Sequence, residues 1–129
     1  MEEVKPIVSI NHTENAAVVT LLYEEIVSDA DINKLEESIT ALIIQGRSKN
    51  LVLDFSRVRY LSSSALGYLI TLNKSLKQQN GSLKVCGIDK KVKNASNDRY
   101  IYELLKIVQL DKFFDIYDSV DDALQCLSK

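Results

Sequence analysis

Three consecutive serines, Ser62, Ser63 and Ser64, stand between a short apolar run and an amphipathic stretch with helical spacing. A serine before a helix commonly acts as its N-cap, accepting a hydrogen bond from a backbone N–H two or three residues on, which contributes about 1 kcal/mol. Either Ser62 or Ser63 could fill that role. Because a cap needs only one serine, one or two further hydroxyls are expected at the same helix end.

The position of these hydroxyls favours a binding or modification site. They precede a helix and follow a central strand, and open α/β sheets bind ligands and partners at the carboxyl ends of their strands. A phosphate on such a serine would meet the N–H groups and the positive dipole end of the helix. It would also add about −1.5 to −2 charges, enough to abolish an interface by electrostatics alone.

Catalysis by Ser63 would require an activating base. The single histidine, His12, lies far away in the sequence, and the serines lack the Gly-x-Ser-x-Gly pattern of a nucleophile elbow. A phosphate-cradling loop is also absent from the sequence, because the glycines are scattered at Gly46, Gly67, Gly81 and Gly87. We therefore predict no enzymatic activity, no metal site and no cofactor.

Two other polar features accompany the serines. Asp54 lies in the otherwise apolar run 51–55 that precedes them, and it could be a metal or acid/base residue. The favoured interpretation is a strand-end carboxylate that accepts hydrogen bonds from nearby backbone or from a serine hydroxyl. Residues 89–100 are long and polar for a connection between a strand and a helix, which predicts a mobile or functional loop.

The strands that must position these residues are visible as β-rich runs. Residues 7–12 and 16–22 predict an antiparallel hairpin. Residues 51–55 are apolar without alternation, as expected of a central strand covered on both faces. Residues 83–88 and 113–117 predict the remaining strands of the sheet.

Apolar residues at helical spacing predict four helices: one after residues 29–31, one after the serines, one over residues 101–108 and one near the end of the chain. The expected caps and ends are Asp29 or Asp31 and Gly46 for the first helix, Asn80-Gly81 for the second and Ser119 for the last. Strands alternating with helices predict an α/β fold with right-handed crossovers, in which the sheet is mostly parallel after its antiparallel start.

Length and composition fit one domain over residues 1–129. The chain is 46% hydrophobic and 26% charged, with a net charge of −2, which predicts a globular protein without affinity for nucleic acid. No apolar stretch reaches the 18 or so residues needed to cross a bilayer, so we expect no membrane insertion. Cys86 and Cys126 lie in apolar surroundings and are predicted to be buried thiols of a cytoplasmic protein.

The segment from Leu51 to Leu69 resembles the STAS domain of anti-sigma factor antagonists, and the resemblance extends over essentially the whole chain. Its matching features are the apolar strand ending in Leu53-Asp54, an apolar residue and Ser56, then Val58, Tyr60-Leu61, Ser63-Ser64 and Ala65-Leu66-Gly67. The Asn80-Gly81 turn, the strand from Leu83 to Ile88, Leu104-Leu105 and the run Leu110 to Phe114 are also similar to that family.

The resemblance implies a regulatory cycle. In the family, a partner kinase phosphorylates a serine that follows an aspartate at the start of this helix; here that serine falls on Ser63, and Ser62 takes the aspartate's place. The dephosphorylated antagonist binds an anti-sigma factor, which is itself a serine kinase of the ATP-binding type, and the phosphorylated form is released. A PP2C-type phosphatase would reverse the modification.

The resemblance also implies a partner-binding surface around this serine. Its expected members are Asp54, Ser56, Ser62, Ser64, Ala65, Gly67, Glu24 and Glu25, with Ser64 and Ser62 as fallback phosphorylation sites. The alternative is a STAS scaffold or accessory subunit that works without phosphorylation in a signalling or lipid-transport complex.

Overall fold

The computed structural model describes residues 6–14, 16–46, 49–87, 93–94, 115–117 and 119–127. The strands of these segments are β1 (Val8–His12), β2 (Ala17–Leu21), β3 (Glu25–Ile26), β4 (Asn50–Asp54), β5 (Tyr60–Leu61), β6 (Ser82–Cys86), β7 (Lys93–Asn94) and β8 (Asp115–Tyr117). The helices are α1 (Asp29–Gln45), α2 (Ser63–Gln78) and α3 (Val120–Leu127).

The main sheet has five strands in the order β1-β2-β4-β6-β8. β1 runs antiparallel to β2, and every further pair in this sheet is parallel. Both the α/β class and the mixed, mostly parallel sheet predicted from the sequence are therefore confirmed. The prediction of a central strand is also confirmed, because Leu51, Val52 and Leu53 of β4 are all buried although their side chains alternate between the two faces.

The larger core lies between one face of the sheet and the helices α1 and α2. It contains leucine, isoleucine and valine side chains at alternate strand positions and at helical spacing, among them Val19, Leu53, Leu35, Ile39, Leu69 and Leu76. The other face has a smaller core, in which Val18, Val52 and Cys86 pack with Ala123 of α3. The sheet is thus covered by helices on both faces.

The start of α1 corrects one prediction. Ser28, and not Asp29 or Asp31, is the N-cap, because its backbone is extended and its side chain accepts a hydrogen bond from the Asp31 N–H. The two aspartates instead occupy the first turn, where their charges favour the positive end of the helix dipole. Gly46 ends α1 in the left-handed conformation, as predicted.

The end of α2 is also as predicted, at the Asn80-Gly81 turn. Asn80 has a positive φ of 63°. The N–H of Gly81 donates to the Leu76 carbonyl at 2.7 Å, and that of Asn80 donates to the Lys77 carbonyl at 3.1 Å. This pair of bonds is a Schellman motif, which satisfies the last carbonyl groups of the helix.

The predicted last helix is present and begins after Ser119, whose side chain accepts the Asp122 N–H at 3.2 Å. The last strand is described over Asp115–Tyr117 only. The helix predicted over residues 101–108 and the first residues of the predicted strand at 113–117 lie outside the described residues.

A second, smaller sheet was not predicted. It contains the two-residue strands β3, β5 and β7, all parallel, with β5 in the middle. β7 belongs to the loop predicted at residues 89–100, so part of that loop lies beside β5, the strand that leads into the serines. Among the described residues, no helix is both long and apolar enough to cross a membrane.

Candidate functional site

Ser62 is the N-cap of α2. Its φ and ψ of −80° and 161° are extended, and its Oγ accepts a hydrogen bond from the Ala65 N–H at 3.1 Å. Its own N–H donates to the Ile26 carbonyl at 3.1 Å, and only 6% of the residue is exposed. Of the two caps that the sequence allowed, the structure selects Ser62 and holds its hydroxyl inside the protein.

Ser63 and Ser64 are the first two residues of α2, and both are exposed. The helix start differs in charge from that of α1: the first turn of α2, all of which is described, contains no acidic residue, whereas that of α1 contains Asp29 and Asp31. The positive dipole end of α2 is therefore not offset by a carboxylate in its own first turn. This end of the helix is suited to accept an added negative charge.

The small sheet brings the loop after β2 to the same place. The Glu24 carbonyl accepts hydrogen bonds from the N–H groups of Arg59 at 2.7 Å and Tyr60 at 3.1 Å. Glu25 is in register with Tyr60 in the parallel β3–β5 pair. Glu24 and Glu25 are both exposed, so these two predicted site residues lie beside the segment that leads directly into the serines.

An ion pair crosses the same contact between Glu24 and Arg59. The Arg59 Nε lies 3.9 Å from the Glu24 Oε1, and both side chains are largely exposed, so the pair contributes little to stability. Neither Arg59 nor Tyr60 was predicted as a site residue. The signal available in the sequence was Tyr60-Leu61 itself, an aromatic and an aliphatic residue directly before the serines.

Asp54 and Ser56 form a turn of their own at the carboxyl end of β4. The Asp54 Oδ1 accepts the Ser56 N–H at 3.0 Å, which is the favoured of the two interpretations of Asp54 from the sequence. Gly87, which follows β6, packs against this turn with a positive φ of 72°. A Cβ at Gly87 would lie 2.7 Å from the Asp54 Oδ1 and 3.1 Å from the Ser56 nitrogen.

Cys86 lies next to this turn and is a free, fully buried thiol. Burial raises the pKa of Cys86 to about 12, with a further contribution from the Asp54 carboxylate. The thiol stays protonated at neutral pH and lacks the thiolate needed for nucleophilic chemistry. Its burial was predicted; the side chain of Cys126 lies outside the described residues.

The predicted site residues thus differ in how far they are exposed to solvent. Glu24, Glu25, Ser63, Ser64 and Gly67 are exposed, and we call this set the serine surface. Ser56 is exposed and Asp54 half-buried in the turn against Gly87. Ser62 and Ala65 are buried, so their side chains could contact a partner only if the helix start opened, and their part in binding would be to hold that start in place.

Replacing Gly87 with alanine tests the packing of the Asp54 turn. We expect the free energy of unfolding to fall by about 2 kcal/mol, because alanine is disfavoured at positive φ and its Cβ would displace the Asp54 carboxylate. Gly46→Ala is the matched control: Gly46 has nearly the same φ of 69°, but its Cβ would meet nothing closer than 3.9 Å. It should lose only about 1 kcal/mol. Urea denaturation of both variants measures the difference, and equal losses would contradict a role for the turn.

Comparison with known proteins identifies relatives by sequence family and by fold. The family model described as STAS domain matches residues 8–123. An anti-sigma factor antagonist from Mycobacterium paratuberculosis superposes with a TM-score of 0.74 at 23% identity, over 95% of this chain and 93% of that one.

Two further structures share the fold. The Bacillus cell fate determinant SpoIIAA, in its phosphorylated form, matches with a TM-score of 0.65 at 14% identity, over 92% of this chain and 96% of that one. The murine anion transporter Slc26a9 in its inward-facing state matches with a TM-score of 0.67 at 15% identity. That match covers 92% of this chain but only 18% of the transporter. At these identities the structural likeness shows the fold alone.

Proposed function

The chain belongs to the STAS domain family, and from this premise we propose that it is a cytoplasmic regulatory protein that binds an anti-sigma factor and is switched by phosphorylation of Ser63. The observation that carries the proposal is the different environment of Ser62 and Ser63 at the start of α2. Ser62 is buried and caps the helix, while Ser63 is exposed at a helix start whose first turn holds no carboxylate. The proposal gives the chain no catalytic activity of its own.

The cap makes Ser63 a suitable acceptor. A kinase would transfer the γ-phosphoryl group of ATP to the Ser63 Oγ, releasing ADP while the hydroxyl proton leaves to a base of the kinase. Because the Ala65 N–H is held by Ser62, this reaction leaves the N-cap in place. The fold would therefore persist in both states, and the change would be confined to the surface.

The added charge would act on binding through the serine surface. A phosphoserine carries about −1.5 to −2 charges at neutral pH. It would lie close to the helix dipole, which stabilises it, and would increase the negative charge of a surface that already includes Glu24 and Glu25. A partner that docks on the unmodified serine would have to desolvate the phosphate and approach its added negative charge, and would therefore be released.

The kinase assay is the direct test. Incubation with ATP and the cognate anti-sigma factor kinase is expected to add one phosphate by intact-mass analysis, and a PP2C-type phosphatase should remove it. Ser63→Ala should abolish the modification, whereas Ser64→Ala, which changes the neighbouring exposed serine, should retain it. Ser63→Asp should weaken partner binding by about tenfold or more, measured by calorimetry, because it places a charge in the interface.

Other labelling patterns would revise the proposal. Phosphate that persists in Ser63→Ala would move the acceptor to Ser64, or to Ser62 if the helix start opens. Unchanged partner affinity in Ser63→Asp would contradict the electrostatic switch even if Ser63 is phosphorylated.

A second candidate function is a STAS scaffold or accessory subunit that is never phosphorylated, in a signalling or lipid-transport complex. Two observations favour it: Ser62 stands where the family has an aspartate, and the same fold is found within the much longer chain of an anion transporter. In this case the kinase would leave the protein unmodified, and the partner would bind wild type and Ser63→Asp equally.

A further inference from the structure

The side of β1 that faces away from β2, where no described strand lies, is a second candidate binding surface, which we call the open side and which is separate from the serine surface. β1 is the first strand in the order of the main sheet, and its pairing partner among the described strands is β2. Strands in this position present a row of backbone donors and acceptors to which another strand can be added.

Hydrogen bonds just beyond the two ends of the β1–β2 ladder show which groups face β2. The Leu22 N–H donates to the Ile7 carbonyl at 2.8 Å, and the Thr13 N–H donates to the Ala16 carbonyl at 2.8 Å. Ile7 and Thr13 are both odd-numbered, and hydrogen-bonded pairs alternate along an antiparallel ladder. The odd-numbered residues therefore turn their backbone groups toward β2.

The even-numbered residues Val8, Ile10 and His12 turn their N–H and C=O groups to the open side. Alternation along the ladder leaves these residues in non-hydrogen-bonded pairs with Leu21, Val19 and Ala17. Their side chains share the face of the sheet that carries the larger core, and Ile10 remains 39% exposed there. An apolar side chain thus marks the centre of the open edge.

Within Val8–His12, β1 lacks the side-chain devices that keep an edge strand from pairing. Its sequence, Val-Ser-Ile-Asn-His, contains no lysine, no arginine, no carboxylate and no proline, and its register with β2 is continuous without a bulge. Two copies of this strand can therefore approach each other without repulsion between lysine or carboxylate side chains. The strand has polar Ser9 and Asn11 on one face and Val8, Ile10 and His12 on the other, so two antiparallel copies can match their faces.

We propose that β1 pairs antiparallel with β1 of a second copy of the chain, about a two-fold axis at Ile10. In this register Ile10 lies opposite Ile10 of the second copy, and Val8 lies opposite His12. All the outward backbone groups then find partners, giving about six intermolecular hydrogen bonds. Ser9 lies opposite Asn11 on the other face, where their side chains can hydrogen-bond.

The alternation of outward-facing and inward-facing backbone groups in β1 favours this register over one shifted by a single residue. Moving one copy by a single position would place outward-facing groups opposite inward-facing ones and would bring polar Ser9 or Asn11 side chains opposite Ile10. The two main sheets would join into one continuous sheet across the dimer. None of the β1 residues belongs to the serine surface, so the dimer would present two such surfaces.

Sedimentation velocity over about 10 μM to 1 mM protein tests the association, since a contact of one strand is smaller than a standard stable interface. We expect the dimer fraction of the wild type to rise with concentration. Ile10→Lys should weaken dimerisation by about tenfold or more, because the two-fold axis places the two ammonium groups directly opposite each other. Ile44→Lys is the matched control: Ile44 is the most exposed large hydrophobic residue of the described chain, at 79%, and lies on α1. That variant should dimerise like the wild type.

Amide hydrogen exchange identifies the surface. The N–H groups of Val8, Ile10 and His12 should exchange slowly at high protein concentration and rapidly at low concentration, while those of Ser9 and Asn11 stay slow throughout. A protein that is monomeric at every concentration overturns the proposal. So does a dimer whose formation leaves these three amides unprotected, or one weakened equally by Ile10→Lys and Ile44→Lys. If the three amides become protected only after a different protein is added, β1 binds that protein and not a second copy of the chain.

Discussion

Phe55→Ala is expected to lower the free energy of unfolding by about 3–5 kcal/mol, because it deletes a large side chain that is 1% exposed and leaves a cavity in the larger core. Phe55 directly follows β4, between Asp54 and Ser56. Its N–H donates to the Cys86 carbonyl at 2.9 Å, and its carbonyl accepts the Val58 N–H at 3.0 Å. The buried side chain and these two backbone hydrogen bonds together anchor the connection that carries the chain from the sheet to the serines.

Tyr60→Ala is the control for this variant. Tyr60 is an aromatic residue on the same connection but is exposed, so its truncation should lower the free energy of unfolding by about 1 kcal/mol or less. Chemical denaturation followed by circular dichroism compares the two. Similar losses in Phe55→Ala and Tyr60→Ala would mean that the connection is not anchored by the core.

Gly81→Ala is expected to lower the free energy of unfolding by about 3 kcal/mol, at the upper end of the range for overpacking. A Cβ at Gly81 would overlap the Lys49 carbonyl oxygen, which belongs to the backbone and accepts the Ser82 N–H at 3.1 Å. The backbone at position 81 and the Lys49 carbonyl cannot move apart without separating the end of α2 from the start of β4 or breaking the hydrogen bond between Ser82 and Lys49. The thermal midpoint should fall by about 10 °C or more.

Gly67→Ala is the control, and it is expected to stabilise the protein instead. Gly67 lies inside α2, and a Cβ there would have nothing within 4 Å. Alanine should stabilise the helix by about 0.5–1 kcal/mol, since it restricts the unfolded chain and favours helical backbone. If both glycine variants destabilised the protein to the same extent, the close approach of α2 and β4 at Gly81 would not be the cause.

Long elements could be predicted from the sequence because their periodicity is repeated several times. The face of α1 that contains Leu35, Ile39 and Leu42 is buried as the spacing indicated. The apolar run of β4 could be assigned to the sheet centre because a strand covered on both faces needs no alternation. The antiparallel start and the mostly parallel remainder of the sheet could be predicted as well, whereas the order β1-β2-β4-β6-β8 is seen only in the structure.

The N-cap of α1 and the strands of the small sheet could not be predicted from periodicity in this way. Ser28, Asp29 and Asp31 are all favourable N-cap types within one segment, and their intrinsic preferences differ too little to select Ser28. The strands of the small sheet are two residues each, too short to show alternation, and their pairing depends on contacts between distant parts of the chain. Glu24 and Tyr60 could therefore not be placed together from the sequence.

The helix start at which the candidate site lies was predicted, and the structure adds detail to it. The serine run indicated a helix start, and the structure adds that Ser62 is the buried cap and that Ser63 and Ser64 are exposed. Asp54 could be predicted to accept backbone hydrogen bonds from its position at a strand end. That its turn depends on Gly87 could not, because Gly87 approaches it from the neighbouring strand.

The topology of the main sheet also has a consequence for the order of folding. β1 and β2 are joined by a short hairpin connection, whereas β2 meets β4 only across α1, and β4 meets β6 only across α2. Local contacts close with less loss of chain entropy than these long crossovers, so the hairpin can form first. The open edge of β1 then exists while the parallel pairs are still incomplete. At high protein concentration, encounters between newly made chains at this edge would compete with the completion of each chain's own sheet.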